Sequence, residues 1–144
     1  MLIKATIAIF LITITAGTHV SGFALVLRWL WPKEDISLVH GTPALRLIHM
    51  IWLLIFVHVL EIGLWALFYH LSHCFPDAES AFYFSGSTYT CVGYGDLLLP
   101  IRWRILGPIE SLTGILMCGL SASAFFALVS RIVKARSEAR TKVG

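Results

Sequence analysis

Residues 90–96 read Thr90-Cys91-Val92-Gly93-Tyr94-Gly95-Asp96. Glycine enters left-handed backbone without a Cβ penalty. Glycines at alternate positions therefore let a short strand switch between ordinary and left-handed conformations. Such a strand turns several successive carbonyl oxygens toward one axis, where their dipoles can replace the water shell of a bare cation. The chemistry on offer is backbone coordination of a monovalent ion. Tyr94 must then point away from that axis and wedge against whatever precedes it. Asp96, just outside, can hydrogen-bond behind the strand and lend its mouth negative charge.

A second group of chemically capable residues is scattered through apolar sequence. His49, His58 and Glu61 lie in one such stretch, His19 in another, and Glu110 in a third. Ionisable groups inside a bilayer are costly and so are functional candidates. His58 and Glu61 are three apart and share a helix face. With His19 they could be imagined as a metal site. Zinc wants three or four ligands at set geometry, and the spacing guarantees only the His58–Glu61 pair. The expectation is that these groups hydrogen-bond the first span, the short helix or one another. Glu110 has two readings: it braces the strand from behind, through Arg102 or Arg104, or it is an interfacial residue near headgroups.

The elements that position these residues follow from composition. The 144 residues are 58% hydrophobic and 13% charged, with a mean hydropathy of +0.83. Soluble domains sit nearer half apolar and a quarter charged. Residues 5–27 hold no Lys, Arg, Asp or Glu; residues 47–72 hold only Glu61, and residues 105–130 only Glu110. Each run exceeds the roughly 20 residues that span a bilayer as a helix. The expected fold is an all-α membrane protein with spans at about 4–30, 45–71 and 104–132. The first stretch is longer than a signal-peptide core of about 7–15 residues and lacks an A-x-A site, so a retained helix is expected. Cys74, Cys91 and Cys118 are too scattered for a disulfide framework or a zinc cluster.

The net charge of +3 does not signal nucleic acid, because the basic residues sit mostly at helix ends. Arg28, Lys33 and Arg46 flank the first connection. Arg131, Lys134, Arg136, Arg140 and Lys142 follow the last span. The positive-inside rule puts both regions in the cytoplasm and the N-terminus outside. Trp29, Trp31 and Trp103 fall near span ends, as interfacial anchors do. The organisation expected is a helix at 1–31, a cytoplasmic loop at 32–44, a membrane domain at 45–133 and a basic tail at 134–144.

The outward connection, 72–103, carries the glycine-rich strand. Pro76 and Asp77 suit a helix start, with Asp77 and Glu79 favourable to the dipole. The helix from Ala78 to Thr90 would be near 20 Å long. It is too short to cross and can only enter and return under protein cover. Its C-terminal partial negative charge would point at the cation path. No ladder of arginines marks a voltage sensor.

Thr88-Tyr89-Thr90-Cys91-Val92-Gly93-Tyr94-Gly95-Asp96 resembles the potassium-channel signature T-x-T-T-V-G-Y-G-D. Phe82-Tyr83-Phe84-Ser85 resembles the aromatic-rich pore helix, and Pro100 with Trp103-Arg104 resembles the turret before an inner helix. Over about residues 45–133 the chain is thus similar to the small bacterial two-helix-pore potassium channels, with an extra N-terminal helix. The resemblance implies a selectivity filter in which Cys91, Val92, Gly93 and Tyr94 offer carbonyls to K⁺, continued by Gly95. It implies support from Thr90, Asp96, Tyr83 and Glu110, and a hinge at Gly114, with Gly119 the fallback. No cofactor beyond the permeant K⁺ and no catalysis are implied.

One filter strand cannot surround an ion, whereas four copies around an axis can. The partners expected are three further copies, a homotetramer in membrane lipid. Gly119, Ser123 and Ala127 form a small stripe that lets helices approach, and Phe125 and Phe126 are candidates to narrow the inner mouth. Cys91 departs from the signature, which has Thr there; a thiol is larger and a weaker donor. That substitution keeps a weakly selective Na⁺/K⁺ channel open as an alternative. A non-conducting or metal-binding membrane protein with a filter-like loop is the third reading.

Overall fold

The computed structural model describes residues 2–30 and 43–141. They form four helices: α1 (Leu2–Leu30), α2 (Pro43–Leu71), α3 (Ala78–Tyr89) and α4 (Leu106–Thr141). Three of them are long and apolar enough to cross a membrane, over Leu2–Leu25, Leu47–Leu71 and Leu106–Ser130. The short helix ends one residue earlier than the sequence suggests, with Thr90 as its cap. The expected tail continues α4 as helix to Thr141, so a single rod of 36 residues runs through Gly114 and Gly119 without a break. Most of the expected connection at 32–44 and the last three residues lie outside the described residues.

Each long helix buries one stripe. On α1 it is Ala8, Leu11, Thr15 and His19; on α2 it is Met50, Leu54, Val57, Glu61, Trp65 and Tyr69; on α4 it is Leu106, Glu110, Thr113, Met117 and Ser121. Steps of three and four place each set on one face. The other faces remain apolar and exposed, for example Ile9, Phe10, Trp52, Phe56, Leu112 and Leu116. Such surfaces suit lipid or another copy of the chain, not water.

In lipid there is little hydrophobic gain from helix association. Close backbone approach and interhelical hydrogen bonds, worth about 0.6 kcal/mol on average, must supply it. The α1–α2 seam shows both. A Cβ on Gly22 would come within 2.6 Å of Val57 Cγ2, so any larger residue there would force Val57 or the helix to shift. Trp65 Nε1 donates to Thr15 Oγ1 at 3.0 Å, wholly buried. Beneath α3 lies an aromatic cluster. Tyr69 meets Phe84 edge-on with ring centroids 5.4 Å apart, and Phe68 meets Trp103 likewise at 5.4 Å. At the far end of α2, Met50 and Leu54 pack with Ala124, Phe125 and Leu128.

Candidate functional site

The site begins with a capped helix. Asp77 is extended, with φ −140° and ψ 166°, and its carboxylate accepts from Ser80 N at 2.7 Å and Ser80 Oγ at 3.0 Å. These bonds hold its carboxyl below the usual carboxylate range. At the other end a helix leaves its last carbonyls without partners. Here they are taken up one by one: Gly86 O by Thr90 N at 3.1 Å, Thr88 O by Cys91 N at 3.0 Å, and Ser87 O by Gly93 N at 3.0 Å. Thr90 Oγ1 also donates to Gly86 O at 2.7 Å. The strand is therefore folded back onto the end of the helix that aims at it.

Within the strand, φ is positive at every second residue: +60° at Cys91, +56° at Gly93 and +77° at Gly95. The glycine spacing anticipates the last two. Cys91 is the addition: a side chain in left-handed backbone costs roughly 1–2 kcal/mol. Its thiol lies 3.6 Å from Ser111 O on α4. Residues 90–96 are all exposed in the single chain.

The strand is braced from the outer side. Tyr83 donates to Asp96 Oδ2 at 2.7 Å, and Asp96 Oδ1 accepts from Leu97 N at 3.0 Å. The bond to the Asp96 carboxylate raises the Tyr83 phenol above its ordinary value. The Tyr83 and Tyr94 rings stack, 6.4 Å apart and 9° from parallel. Tyr94 thus lies alongside the short helix, with its ring largely exposed in the single chain.

Glu110 is fully buried, so the interfacial reading is wrong. Its partners are not arginines either. Tyr69 donates to Oε2 at 2.7 Å, and the Ser85 hydroxyl lies 2.5 Å from Oε1. Arg102 instead donates to Ser72 O at 2.9 Å. Glu110 therefore ties α2, α3 and α4 together behind the strand, through hydroxyls that charge patterning does not reveal.

Gly114 lies in continuous helix, and its surroundings give it a packing role. A Cβ there would collide with Tyr89 O and lie 3.0 Å from Tyr89 C and 3.1 Å from Tyr89 Cγ. The end of α3 rests on the backbone of α4 at that point, next to a bond from Ser111 Oγ to Thr88 O at 2.8 Å. A Cβ on Gly119 would meet nothing within 4 Å in the chain. Gly119, Ser123 and Ala127 are all exposed along α4. Phe125 is half-buried against α2, whereas Phe126 is exposed.

His58 and Glu61 do share a face, and His19 joins them: its Nδ1 is 2.9 Å from Glu61 Oε1. Tyr89 donates to Glu61 Oε2, and His58 Nδ1 lies 2.9 Å from Tyr89 Oη. Tyr89 and Ser121 are the members that sequence reasoning missed. Their signal was positional: Ser121 continues the Glu110–Met117 stripe, and Tyr89 directly precedes the strand. His49 is elsewhere, with Nδ1 2.7 Å from Leu45 O.

No curated protein and no solved structure matches the chain significantly. The model of the ion channel family matches residues 57–131, just over half of the chain, from mid-α2 through α3 and the glycine strand into α4. With three helices among the described residues long and apolar enough to cross a membrane, packed with a short helix and the glycine strand, the chain belongs to the ion channel family, as a multi-pass membrane protein.

Proposed function

We propose that the chain is one subunit of a homotetrameric potassium channel, passing K⁺ passively down its gradient with no catalytic step. The observation that carries this is the strand 91–95, with its alternating positive φ at Cys91, Gly93 and Gly95 beside the C-terminal end of a short helix. The carbonyls of Cys91, Val92, Gly93 and Tyr94 would coordinate the ion, with Gly95 completing the filter. Thr90, Asp96, Tyr83 and Glu110 hold the strand in place. Exposed, irregular backbone at membrane depth needs protein cover, and further copies would supply it. The exposed small stripe of α4 suits their crossing. Arginines and lysines after the last span favour a cytoplasmic C-terminus and an outward N-terminus in the cell membrane.

One specific observation favours a second reading. At Cys91 a thiol replaces the hydroxyl of the signature, and it is exposed at the inner end of the strand. A weakly selective Na⁺/K⁺ channel would follow from a softer innermost site. Purified protein in liposomes, with reversal potentials measured under opposed K⁺ and Na⁺ gradients, decides between them. A reversal potential near that of K⁺ supports the proposal. Equal permeation of sodium supports the second reading, and absence of flux from correctly assembled protein refutes both.

A further inference from the structure

Three of the ionisable groups buried within the spans converge on one point. His19 comes from α1, and His58 and Glu61 come from α2. Their ligand atoms all lie within 4.8 Å of one another. His19 and Glu61 are fully buried, while the His58 side chain keeps 19% of its surface. We propose that these three residues form a binding site for a tetrahedral divalent cation of the zinc class, with Tyr89 Oη beside them as a fourth donor. This goes beyond the channel reading and does not depend on it.

The distances fit. Zinc–ligand bonds of about 2.0–2.1 Å imply ligand–ligand edges of about 3.3 Å in a tetrahedron. His19 Nδ1 is 2.9 Å from Glu61 Oε1, and His58 Nδ1 is 3.4 Å from Glu61 Oε2. Two imidazoles and a carboxylate are a donor set that suits zinc. The hydrogen-bonded and metal-bound arrangements use the same atoms, and the metal replaces the protons between them.

The surroundings are those of a metal site as well. Metal-ligating histidines hold their second ring nitrogen in a hydrogen bond, which fixes the tautomer. Both Nε2 atoms lie beside one hydroxyl that can accept from them: Ser121 Oγ is 3.0 Å from His58 Nε2 and 3.5 Å from His19 Nε2. In the metal-bound state that pairing would keep the second ring protons on Nε2 and leave both Nδ1 atoms free to ligate beside Glu61. The approach of α1 needed for this is set three residues on, where Gly22 meets Val57. A bound cation would fix α1 to the tyrosine that directly precedes the filter strand.

The test uses the full chain purified in detergent and stripped with a chelator. Calorimetric titration with Zn²⁺ should give one ion per chain, and Mg²⁺ none. His19→Gln and His58→Gln should each weaken Zn²⁺ binding by more than about a hundredfold, since even outer partners of a metal site are worth 10–100-fold. His49→Gln should leave it unchanged. Should the variants fail to fold, Co²⁺ on the native chain decides. A tetrahedral visible spectrum without a thiolate charge-transfer band supports the site. A thiolate band, placing the metal at a cysteine, overturns it. So does a folded chain that takes up no stoichiometric metal, or His19→Gln binding as tightly as the native chain.

Discussion

Substituting Gly114 by alanine tests how the glycine strand is seated. The added Cβ would overlap Tyr89 O, a backbone atom at the end of α3 that cannot rotate away, and would press on Tyr89 C at 3.0 Å and Cγ at 3.1 Å. Restoring ordinary contact of about 3.5 Å requires α4 and α3 to part by on the order of 1 Å. That separation strains the Ser111–Thr88 bond of 2.8 Å as well. Overpacking of this kind typically costs 1–3 kcal/mol. With backbone as the obstacle, Gly114→Ala should lose about 3 kcal/mol. Gly17→Ala is the control, because nothing lies within 4 Å of its Cβ and alanine gains up to about 1 kcal/mol of helix propensity. Thermal unfolding in detergent by circular dichroism reads stability, and liposome flux reads the proposed filter. Gly114→Ala should melt earlier and conduct less, and Gly17→Ala should do neither. A Gly114→Ala protein with native stability and native flux would refute the seating described.

Four further outcomes are expected. Glu110→Leu strands the buried hydroxyl of Tyr69, at about 1–3 kcal/mol, and leaves Ser85 only its bond to Ile62 O, while Glu110→Gln retains partners for both; unfolding midpoints should rank native, Gln, Leu. Asp77 contributes stability above its unfolded carboxyl value, 3.8, and loses it as pH falls through its lowered folded value. The stability gap between native and Asp77→Ala should therefore be full at neutral pH and close in acid unfolding below about pH 4. Cys91→Thr adds a hydroxyl worth about 1 kcal/mol, which should raise the K⁺ over Na⁺ permeability ratio by about fivefold in reversal-potential measurements. Gly22→Leu should push α1 off Val57 and weaken Zn²⁺ uptake in the same calorimetric assay, a loss not expected from Gly17→Ala.

The sequence displayed the spans and the strand because their signals are local. Uncharged runs set α1, α2 and α4, and Gly93 and Gly95 announced two left-handed residues. Cys91 at φ +60° was not legible, since its own side chain disfavours that backbone and only the neighbouring carbonyl pairings impose it. The Glu110 partners were missed for a different reason. Charge patterning points to arginine, yet in a dry interior two hydroxyls satisfy a carboxylate without bringing in a second charge. His19 was visible as an oddity, but its meeting with Glu61 depends on where two helices cross, which residue spacing within either helix does not encode. Gly114 reads in the sequence as a place to bend, and the structure adds that another backbone rests on it.

The unbroken α4 rod has a mechanical consequence. At 1.5 Å per residue its 36 residues extend about 54 Å, well beyond a hydrocarbon layer of about 30 Å. The end that carries Arg131, Lys134, Arg136 and Arg140 therefore protrudes past the apolar span. No glycine or proline interrupts the rod between Leu120 and Thr141. A tilt imposed at the basic end is carried as leverage over about 40 Å to Gly114, where the rod bears directly on the carbonyl of Tyr89. The protruding turns and the seat of the glycine strand are two ends of one continuous helix.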